Sequence, residues 1–490
     1  MKSFNNQHSV FLICSLFIAT LSFAGDTPFT NNDFNMEAAI NSSAELMDVL
    51  SNDDSGITGN DYKEVVAVCD INASDQDCLS NGTNFSNAIG TVTVNGTGDN
   101  NNVLFTSSSS VSDLFEFKYV MENFTGGQGS AEASVTMFYY EVNTNSDSST
   151  NNCTPAACTL RDAIAAGQAE AGASNVRFDR DFTGIIMLSS ELTIDDTDLT
   201  IAGPGGDQVT VSGNDQVRVI DVTGASERVS LSGFTISNGL ATGDGAGIRF
   251  NGSRDVLVEN MRIIDNETST NGGGIWFASA SGTVRNTEIS DNQAGVSGGG
   301  IGMIGSFGSD VLLENVTISG NVSADDGAGF FINSGNGQNI TLRHVTSAFN
   351  NNGSNQIIGN QVGANGNINI ESSLIVSNGL DLVLLANNNV VNNSIIGNYS
   401  GANLVGGNNL TEWGVALNPL AALNDTGLRV HSFEPGADAH NYVDDMIGNV
   451  GCGTVVPNDQ IGTPRPEGAG CDAGAYEYIF IDEIFISGFE

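Results

Sequence analysis

Three groups of residues in this sequence have types and spacings that could do chemistry. The first is six cysteines, Cys69, Cys78, Cys153, Cys158, Cys452 and Cys471. Six cysteines allow fifteen pairings. They fall into three sequence-local couples, and this predicts local disulfides. The C-x-x-C spacing or Cys/His cluster of a zinc site is absent. The second group is acidic. Asp195-Asp196 and Asp325-Asp326 are adjacent carboxylate pairs, and glycoside hydrolysis uses two carboxyl groups. In an acidic chain such pairs read first as solvated turns. A lyase would need acids to hold Ca²⁺ and a basic residue near the proton removed, yet residues 119–490 contain no lysine. Arg218, Arg249, Arg254, Arg262, Arg285 and Arg343 sit in no catalytic pattern. The third group is the histidines and tryptophans. His8 lies in the N-terminal leader described below, and His344 reads as a stacked strand residue. His431 and His440 fall in a loop without metal spacing. Trp276 and Trp413 are lone aromatics that read as core or cap rather than sugar platforms. The Gly-rich runs lack the Gly-Lys-Ser/Thr of a phosphate loop.

Charge narrows the partners. The formal net charge is −42, from 15 basic against 57 acidic residues. This opposes nucleic acid, which is held by clustered Lys and Arg, and also opposes anionic lipid surfaces. The acidic balance reads as a solubility surface. Its functional alternative is divalent cation binding, so no cofactor is required and Ca²⁺ is the one the sequence admits.

The elements that must position these residues begin with a leader. Lys2 precedes an apolar run from Val10 to Phe23, and Ser22-Phe23-Ala24 offers small residues at −3 and −1. Residues 1–24 therefore read as a signal peptide cut after Ala24, which removes Cys14. No second long apolar segment follows, so the expectation is an exported chain without a membrane span, extracellular or on the outer cell surface. Export makes disulfides plausible.

Residues 25–145 form a first unit. Short β-rich runs, Glu64–Val68, Gly90–Val94, Val103–Thr106, Leu114–Val120 and Ala133–Val142, are separated by Asn/Gly/Ser turns. The spacing predicts a small antiparallel β-sandwich. The run Asp48-Val49-Leu50-Ser51-Asn52-Asp53, with Gly90-Thr91-Val92-Thr93-Val94, resembles the start of immunoglobulin-like or cadherin-like modules of bacterial surface proteins. Some of these bind calcium through the Asn-Asp segment. Here Ser-Gly-Ile stands where further acids would help, and a plain turn is expected.

A linker is expected at 146–158 and a short helix at 159–172. Thr159 with Asp162 three residues later is an N-cap pattern, and Leu160, Ile164 and Gly167 share one face. The segment Cys158-Thr159-Leu160-Arg161-Asp162-Ala163-Ile164 resembles the CSLREAI segment that precedes β-helices in exported bacterial proteins. A β-helix has an open apolar end, so the implied role is a lid.

From 173 to 410 the chain repeats. Units ending in Asn238, Asn266, Asn292, Asn321, Asn350 and Asn378 recur after 28, 26, 29, 29 and 28 residues, and Gly247-Ile248, Gly274-Ile275, Gly300-Ile301 and Gly329-Phe330 keep the same beat. A fixed period in this range means a solenoid. Short alternating strands without a helical pattern select a right-handed parallel β-helix, the fold class being all-β. Gly is expected where φ is positive. Asn tolerates the same region and can form an amide ladder between coils. The Gly-Gly-Gly-Ile and Ile-Ser-Asp-Asn marks also resemble repeats of polymorphic outer-membrane proteins.

Residues 411–490 form a C-terminal cap. Asp459-Gln460-Ile461-Gly462-Thr463-Pro464-Arg465-Pro466 and Cys471-Asp472-Ala473-Gly474-Ala475-Tyr476-Glu477 resemble the choice-of-anchor Q module, which ends a β-helix. The final Ile486-Ser487-Gly488-Phe489-Glu490 is similar to the GFE tails of related exported proteins. Polygalacturonase-like sites on β-helices read N-T-D, D-D, G-H-G and R-I-K, and only D-D pairs occur here. The expected function is therefore a non-catalytic secreted or cell-surface protein, in adhesion, glycan binding or a structural role, with a polysaccharide or cell-surface partner. The alternative is a polysaccharide lyase or glycoside hydrolase acting in a β-helix groove.

Overall fold

A computed structural model describes residues 30–478 apart from short interruptions, the longest being 56–61, 361–366, 402–406, 411–415 and 445–451. The expected signal peptide 1–24 with His8, and Asp196, Arg254, Trp413, His440 and the tail 479–490, lie outside the described residues. The chain divides into two units. One comprises 1–38, 44–109 and 113–137, the other 138–490 with 39–43 and 110–112.

The first unit has two sheets. In one, β3 (Lys63–Cys69), β7 (Asp113–Asn123) and β8 (Gln128–Val142) run antiparallel and β1 (Asp33–Ala39) pairs with β8; the other, antiparallel, holds β2 (Glu45–Met47), β4 (Asn84–Ser86), β5 (Gly90–Asn95) and β6 (Asn102–Ser107). Alternation fills the space between them. Phe115, Phe117 and Tyr119 on β7 and Phe105 on β6 are fully buried, with Phe105 and Phe115 ring centroids 5.1 Å apart. A seven-residue helix, α1 (Asp75–Asn81), was not expected from the apolar pattern. Its signal is a cap. The Ser74 hydroxyl accepts from the Asp77 amide at 3.2 Å and donates to the Asp77 carboxylate at 2.6 Å.

β8 does not stop where the sandwich does. Its last residues, Tyr139–Val142, pair in parallel with Asn175–Phe178 and so form the first rung of the second unit. The first compact unit ends at 137, where the sequence reading set 145. The expected linker 146–158 is also tied down. Asp147 accepts from Arg161 and Ser189, and Thr150 donates to Asp162.

The second unit is a parallel β-solenoid of about six turns. Each coil carries three main strands. Coil to coil, the first strands stack from 174–178 through 199–202, 228–232, 255–259, 282–285, 311–314 and 339–343, each paired in parallel with the next. The inward residues of the first strands form an apolar stack, Ile201, Leu231, Val258, Val284, Leu313, Leu342 and Ile370. The third strands stack Ile220, Ile248, Ile275, Ile301 and Phe330 in the same way.

α2 (Leu160–Ala169) begins at Thr159, whose hydroxyl accepts from the Asp162 amide at 3.0 Å. Leu160, Ile164 and Gly167 are all buried. A Cβ at Gly167 would lie 3.1 Å from the Leu199 side chain of the first coils, a contact tight enough that Leu199 would have to shift by a few tenths of an ångström. The Gln168 side chain accepts from the exposed-edge amide of Asp195.

Two features of the repeat differ from expectation. The Asn ladder exists, but it starts at Asn266. Asn266, Asn292 and Asn321 each donate from Nδ2 to the Oδ1 of the next coil's Asn, at 2.9, 3.0 and 2.9 Å. Asn238 stands one residue early, at a positive-φ corner, and the Gly239 amide occupies the ladder position by donating to Asn266. The Asn378 side chain lies outside the described residues. Left-handed corners are instead held by a separate column, Asn260, Asn286, Asn315, His344 and Ser372, with φ between 47° and 54°. The recurring glycines 247, 274, 300 and 329 do not have positive φ either. Positive φ falls two residues earlier, at 245, 272, 298 and 327. The later column is glycine because of close approach: a Cβ at Gly274 would lie 2.6 Å from the Gly300 carbonyl and 3.0 Å from the Asn292 amide.

Candidate functional site

The sequence candidates scatter. The cysteines pair as Cys69–Cys78, Cys153–Cys158 and Cys452–Cys471, with Cα separations of 5.1, 4.2 and 5.6 Å. The first ties α1 to β3. The arginines are committed to coil-to-coil ion pairs: Arg218 with Glu191, Arg249 with Asp221, Arg262 with Glu288, Arg285 with Glu259, and Arg343 with both Glu314 and Glu371. Glu259, Arg285, Glu314, Arg343 and Glu371 occupy one outward column, so sign alternates from coil to coil. Asp195 accepts from Thr223 of the next coil. His344 is a fully buried corner residue.

The segment that resembles a calcium-binding run is closed by side chains of its own unit. Buried Lys63 donates from Nζ to the carbonyls of Leu50 at 3.2 Å and Asp53 at 3.0 Å. The Tyr119 hydroxyl lies 2.8 Å from each of the Asp33 carboxylate, the Asp53 carboxylate and the Val49 carbonyl. Burial first, and the neighbouring Asp53 and Asp48 charges after it, push Asp33 up to about 6 against its Tyr119 hydrogen bond. Among the described residues no group of three or more His, Cys, Asp or Glu is arranged to hold a metal ion.

His431 contacts Ser319, with Nε2 2.8 Å from the hydroxyl, while Nδ1 is 2.8 Å from the Asn418 carbonyl. The carbonyl can only accept, so Nδ1 carries the proton and Nε2 accepts from Ser319. The pair has hydroxyl–imidazole geometry, but both residues are buried. Burial lowers the His431 pKa. This is a staple holding 416–478 against the second strands, not an exposed nucleophile. Arg429 does the same on buried Glu288.

The Asp459–Glu477 motif is likewise architectural. Asp459 accepts from the amides of Ile461, Thr463 and Glu477 at 2.7–2.9 Å. Fully buried Arg465 bonds Glu477 at 2.8 Å and the carbonyls of Asp472 and Gly474 at 3.1 and 2.8 Å. Gln460 and Ala475 then dock this knot on Thr317 and Thr346 of the solenoid, at 2.6 and 2.8 Å.

One surface region gathers groups that could hold a ligand. It follows the corner where each coil enters its third strand. Two clefts adjoin there at Gly243 and Asp244. The smaller, about 270 Å³, is lined by Glu191, Arg218, Leu240 and Thr242 among others. The larger, about 570 Å³, is lined by Asp244, Asn271, Trp276, Ile304, Asp326 and Asn333, with Asp325 and Phe331. Register explains the gathering. Asp244, Asn271, Ser297 and Asp326 each precede the positive-φ glycine of successive coils, and they interlock: Asn271 donates to Asp244 at 2.9 Å and its carbonyl oxygen Oδ1 accepts from the Ser297 amide at 3.2 Å. On the strand itself, Ile275 and Phe277 face the core while Trp276 alternates outward, paired with Arg249 on one side and Gly302 on the other, and Gly302 pairs in turn with Phe331. A Cβ at Gly302 would lie 2.5 Å from the indole, so the ring lies flat over glycine and is only 4% exposed. Ile304 and Leu240, by contrast, are 44% and 38% exposed. Asp325-Asp326 was therefore a carboxylate pair in a cleft. Asp244, Asn271, Ile304, Phe331, Asn333 and Leu240 carried no sequence signal of their own beyond their place in the repeat.

No helix among the described residues is long and apolar enough to cross a membrane. No family model and no curated protein matches the chain. Among solved structures it is similar to the family 28 exopolygalacturonase of Yersinia enterocolitica, at 9% identity, covering 61% of this chain and 79% of that one, with a TM-score of 0.18. A likeness at that level carries no functional argument.

Proposed function

We propose that this is an exported, non-catalytic β-helix protein that binds a glycan along the outer corner of its solenoid. The observation that carries this is the larger cleft. Sugars present apolar C–H faces and dense hydroxyls. Exposed Ile304, backed by Trp276 and Phe331, suits the first, and the amides of Asn271 and Asn333 with the carboxylates of Asp244 and Asp326 suit the second. Three disulfides fit an oxidising compartment outside the cytoplasm. On this reading residues 1–24 are the export signal, 158–164 a CSLREA-like lid, and 459–477 a choice-of-anchor Q-like cap. A second reading, hydrolysis of the glycan in the same cleft, draws on Asp244, Asp325 and Asp326.

The test is to incubate the purified protein with immobilised and soluble polysaccharides, with and without Ca²⁺, measuring retention and counting new chain ends. Retention without new ends supports binding. New ends that vanish in Asp326→Asn move the assignment to hydrolysis. Neither retention nor cleavage on any glycan sinks both readings.

A further inference from the structure

One outer face of the solenoid is covered by the chain itself. The second strands carry Glu288, Thr317 and Thr346 in one outward column and Ser290, Ser319 and Ala348 in another, on either side of the inward Ile289 and Ile318. These six outward side chains are no more than 4% exposed. The cover is the segment 416–478, and it is fastened in two ways. At the last coils the contact is apolar: Phe433 and Ala473 pack with Ala348, Leu374 and Val376. Over the earlier coils it is polar. There a hairpin pairs Ala421–Ala422 with Arg429–Val430. Arg429 donates from Nε to Glu288 at 2.8 Å, from its amide to the same carboxylate at 3.1 Å, and to the Ser290 hydroxyl at 2.9 Å. His431 adds the contact with Ser319 at 2.8 Å. The two hairpin strands form a sheet of their own, and the coils beneath pair coil to coil without it. Lifting the hairpin breaks no rung of the solenoid. It returns ionic and hydroxyl groups to water at modest net cost, while the apolar end stays anchored.

His431 makes this contact depend on protons. Nδ1 donates to the Asn418 carbonyl and Nε2 accepts from Ser319. A second proton has to enter at Nε2, where the Ser319 hydrogen already points. The Phe349 ring closes the site, its centroid 5.0 Å from that of the imidazole. Burial holds the imidazole below its ordinary 6.5 against the Asn418 hydrogen bond and the Glu288 charge, and the Arg429 charge adds to the lowering. The other charged groups around the hairpin are Asp207 beside Gly427, Asp265 and Asp291 near Arg429, Arg262 on Glu288, and Asp459 on the Ile461 amide. Burial and the Asp291 charge hold Asp265 above the ordinary carboxylate range, so proton uptake there favours the closed form and opposes release. The sign for His431 is the reverse. The closed form keeps it neutral, whereas the open imidazole charges below 6.5. Closure therefore weakens by up to about tenfold per pH unit below that value, until the closed imidazole itself takes the proton.

We propose that the hairpin of Ala421–Ala422 with Arg429–Val430 is an acid-released latch. Arg429 on Glu288 and His431 on Ser319 close it at neutral pH, and acid opens it, baring Glu288, Ser290 and Ser319 while the coils stay folded.

Hydrogen exchange of the full chain tests this. The Arg429 amide donates to the Glu288 side chain, so its protection reports the latch directly. Ile289 and Ile318 report the coils. Each rate is normalised to the intrinsic rate at the same pH. Between pH 7 and 5 the protection of Arg429 is expected to fall about tenfold, with that of Ile289 and Ile318 unchanged. His431→Gln supplies an amide for Ser319 and Asn418 that does not titrate, and it should remove the slope with the latch still closed. Arg429→Met should raise exchange at residue 429 at pH 7 and keep the slope. A flat profile in the wild type, or the same slope in His431→Gln, overturns the proton control. Unchanged exchange at pH 7 in Arg429→Met overturns the ionic fastening. Loss of protection at Ile289 and Ile318 in step with Arg429 means that the whole unit unfolds, and it overturns the latch.

Discussion

The sandwich and the solenoid bury polar groups in opposite ways. In the sandwich each such group is used once: Lys63 on the carbonyls of Leu50 and Asp53, and Tyr119 among Asp33, Asp53 and Val49. In the solenoid the same solution is copied from coil to coil, as the ladder of Asn266, Asn292, Asn321 and Asn350, and the outer face repeats the device in the alternating column from Glu259 to Glu371. A buried polar group is costly only when left unpaired. A solenoid can therefore satisfy it with an identical neighbour, whereas a sandwich must assemble unlike partners from distant strands. It follows that the ladder should be most vulnerable at its middle. The sandwich should fail at single residues, and the C-terminal knot, which is built on the sandwich's plan, should fail most sharply.

That last point gives the largest expected effect. Arg465→Ala leaves Glu477 buried beside the orphaned carbonyls of Asp472 and Gly474. Breaking a buried ion pair this way costs about 3–5 kcal/mol. Urea unfolding should show the loss, and limited proteolysis should cut within 416–478 while the coils stay protected. The double replacement Arg465→Met with Glu477→Met should recover most of it; if it does not, the hydrogen-bond geometry rather than the buried charge holds the knot.

Next is the ladder. Asn321→Ala removes acceptors from the Asn292 amide and side chain and donors from Ile289 and Asn350. With several buried groups left unpaired, a loss of about 3 kcal/mol is expected. Tyr119→Phe in the sandwich removes one hydroxyl and should cost less, about 1–2 kcal/mol. Hydrogen exchange would show where each loss falls. Equal losses would mean that repetition gives the ladder no extra coupling between coils.

The same contrast governs what could be read in advance. The coil period and the inward Ile, Val, Leu and Phe were legible because solenoid packing repeats at a fixed step. The sandwich strands were legible from alternation, as in Phe115, Phe117 and Tyr119, but α1 was not. Seven residues hold too little apolar period, and only the Ser74–Asp77 cap marked it. Asn was read as one signal when it serves two columns, the ladder at Asn266 and the left-handed corner at Asn260. The two differ in φ, which residue type does not report. The cleft was the least legible part. Asp244, Asn271, Ser297 and Asp326 hold equivalent positions with different side chains, so no motif repeats. Ile304 looks like a core residue until its pairing with Ala278 and Asn333 places it on the outer face.

A smaller effect tests the charge column. Arg285 bonds Glu259 at 2.7 Å but is 42% exposed at its side chain, so Arg285→Met should cost only about 0.2–1 kcal/mol. Arg285→Glu places a third acid between Glu259 and Glu314. It should cost more than the methionine, with the difference shrinking in high salt. A difference that salt does not change would mean the column acts through packing.

The smallest expected effect is pH dependence, and it belongs to the sandwich. The Asp33 carboxyl is pushed up to about 6 from 3.8, chiefly by burial. The folded unit therefore holds a proton that the unfolded chain has already released between those values. Stability is fully present below pH 4 from this group and falls as pH rises toward 6. The hydroxyl count agrees with the sign. Tyr119 has one proton for three neighbouring acceptors, so a protonated Asp33 supplies a second donor to the cluster. Asp33→Asn keeps a donor at every pH and should flatten this slope. Melting followed between pH 4 and 7 in the wild type and the variant decides it. If both slopes are the same, Asp33 is ionised throughout, and the three acceptors around Tyr119 must share a donor other than its carboxyl proton.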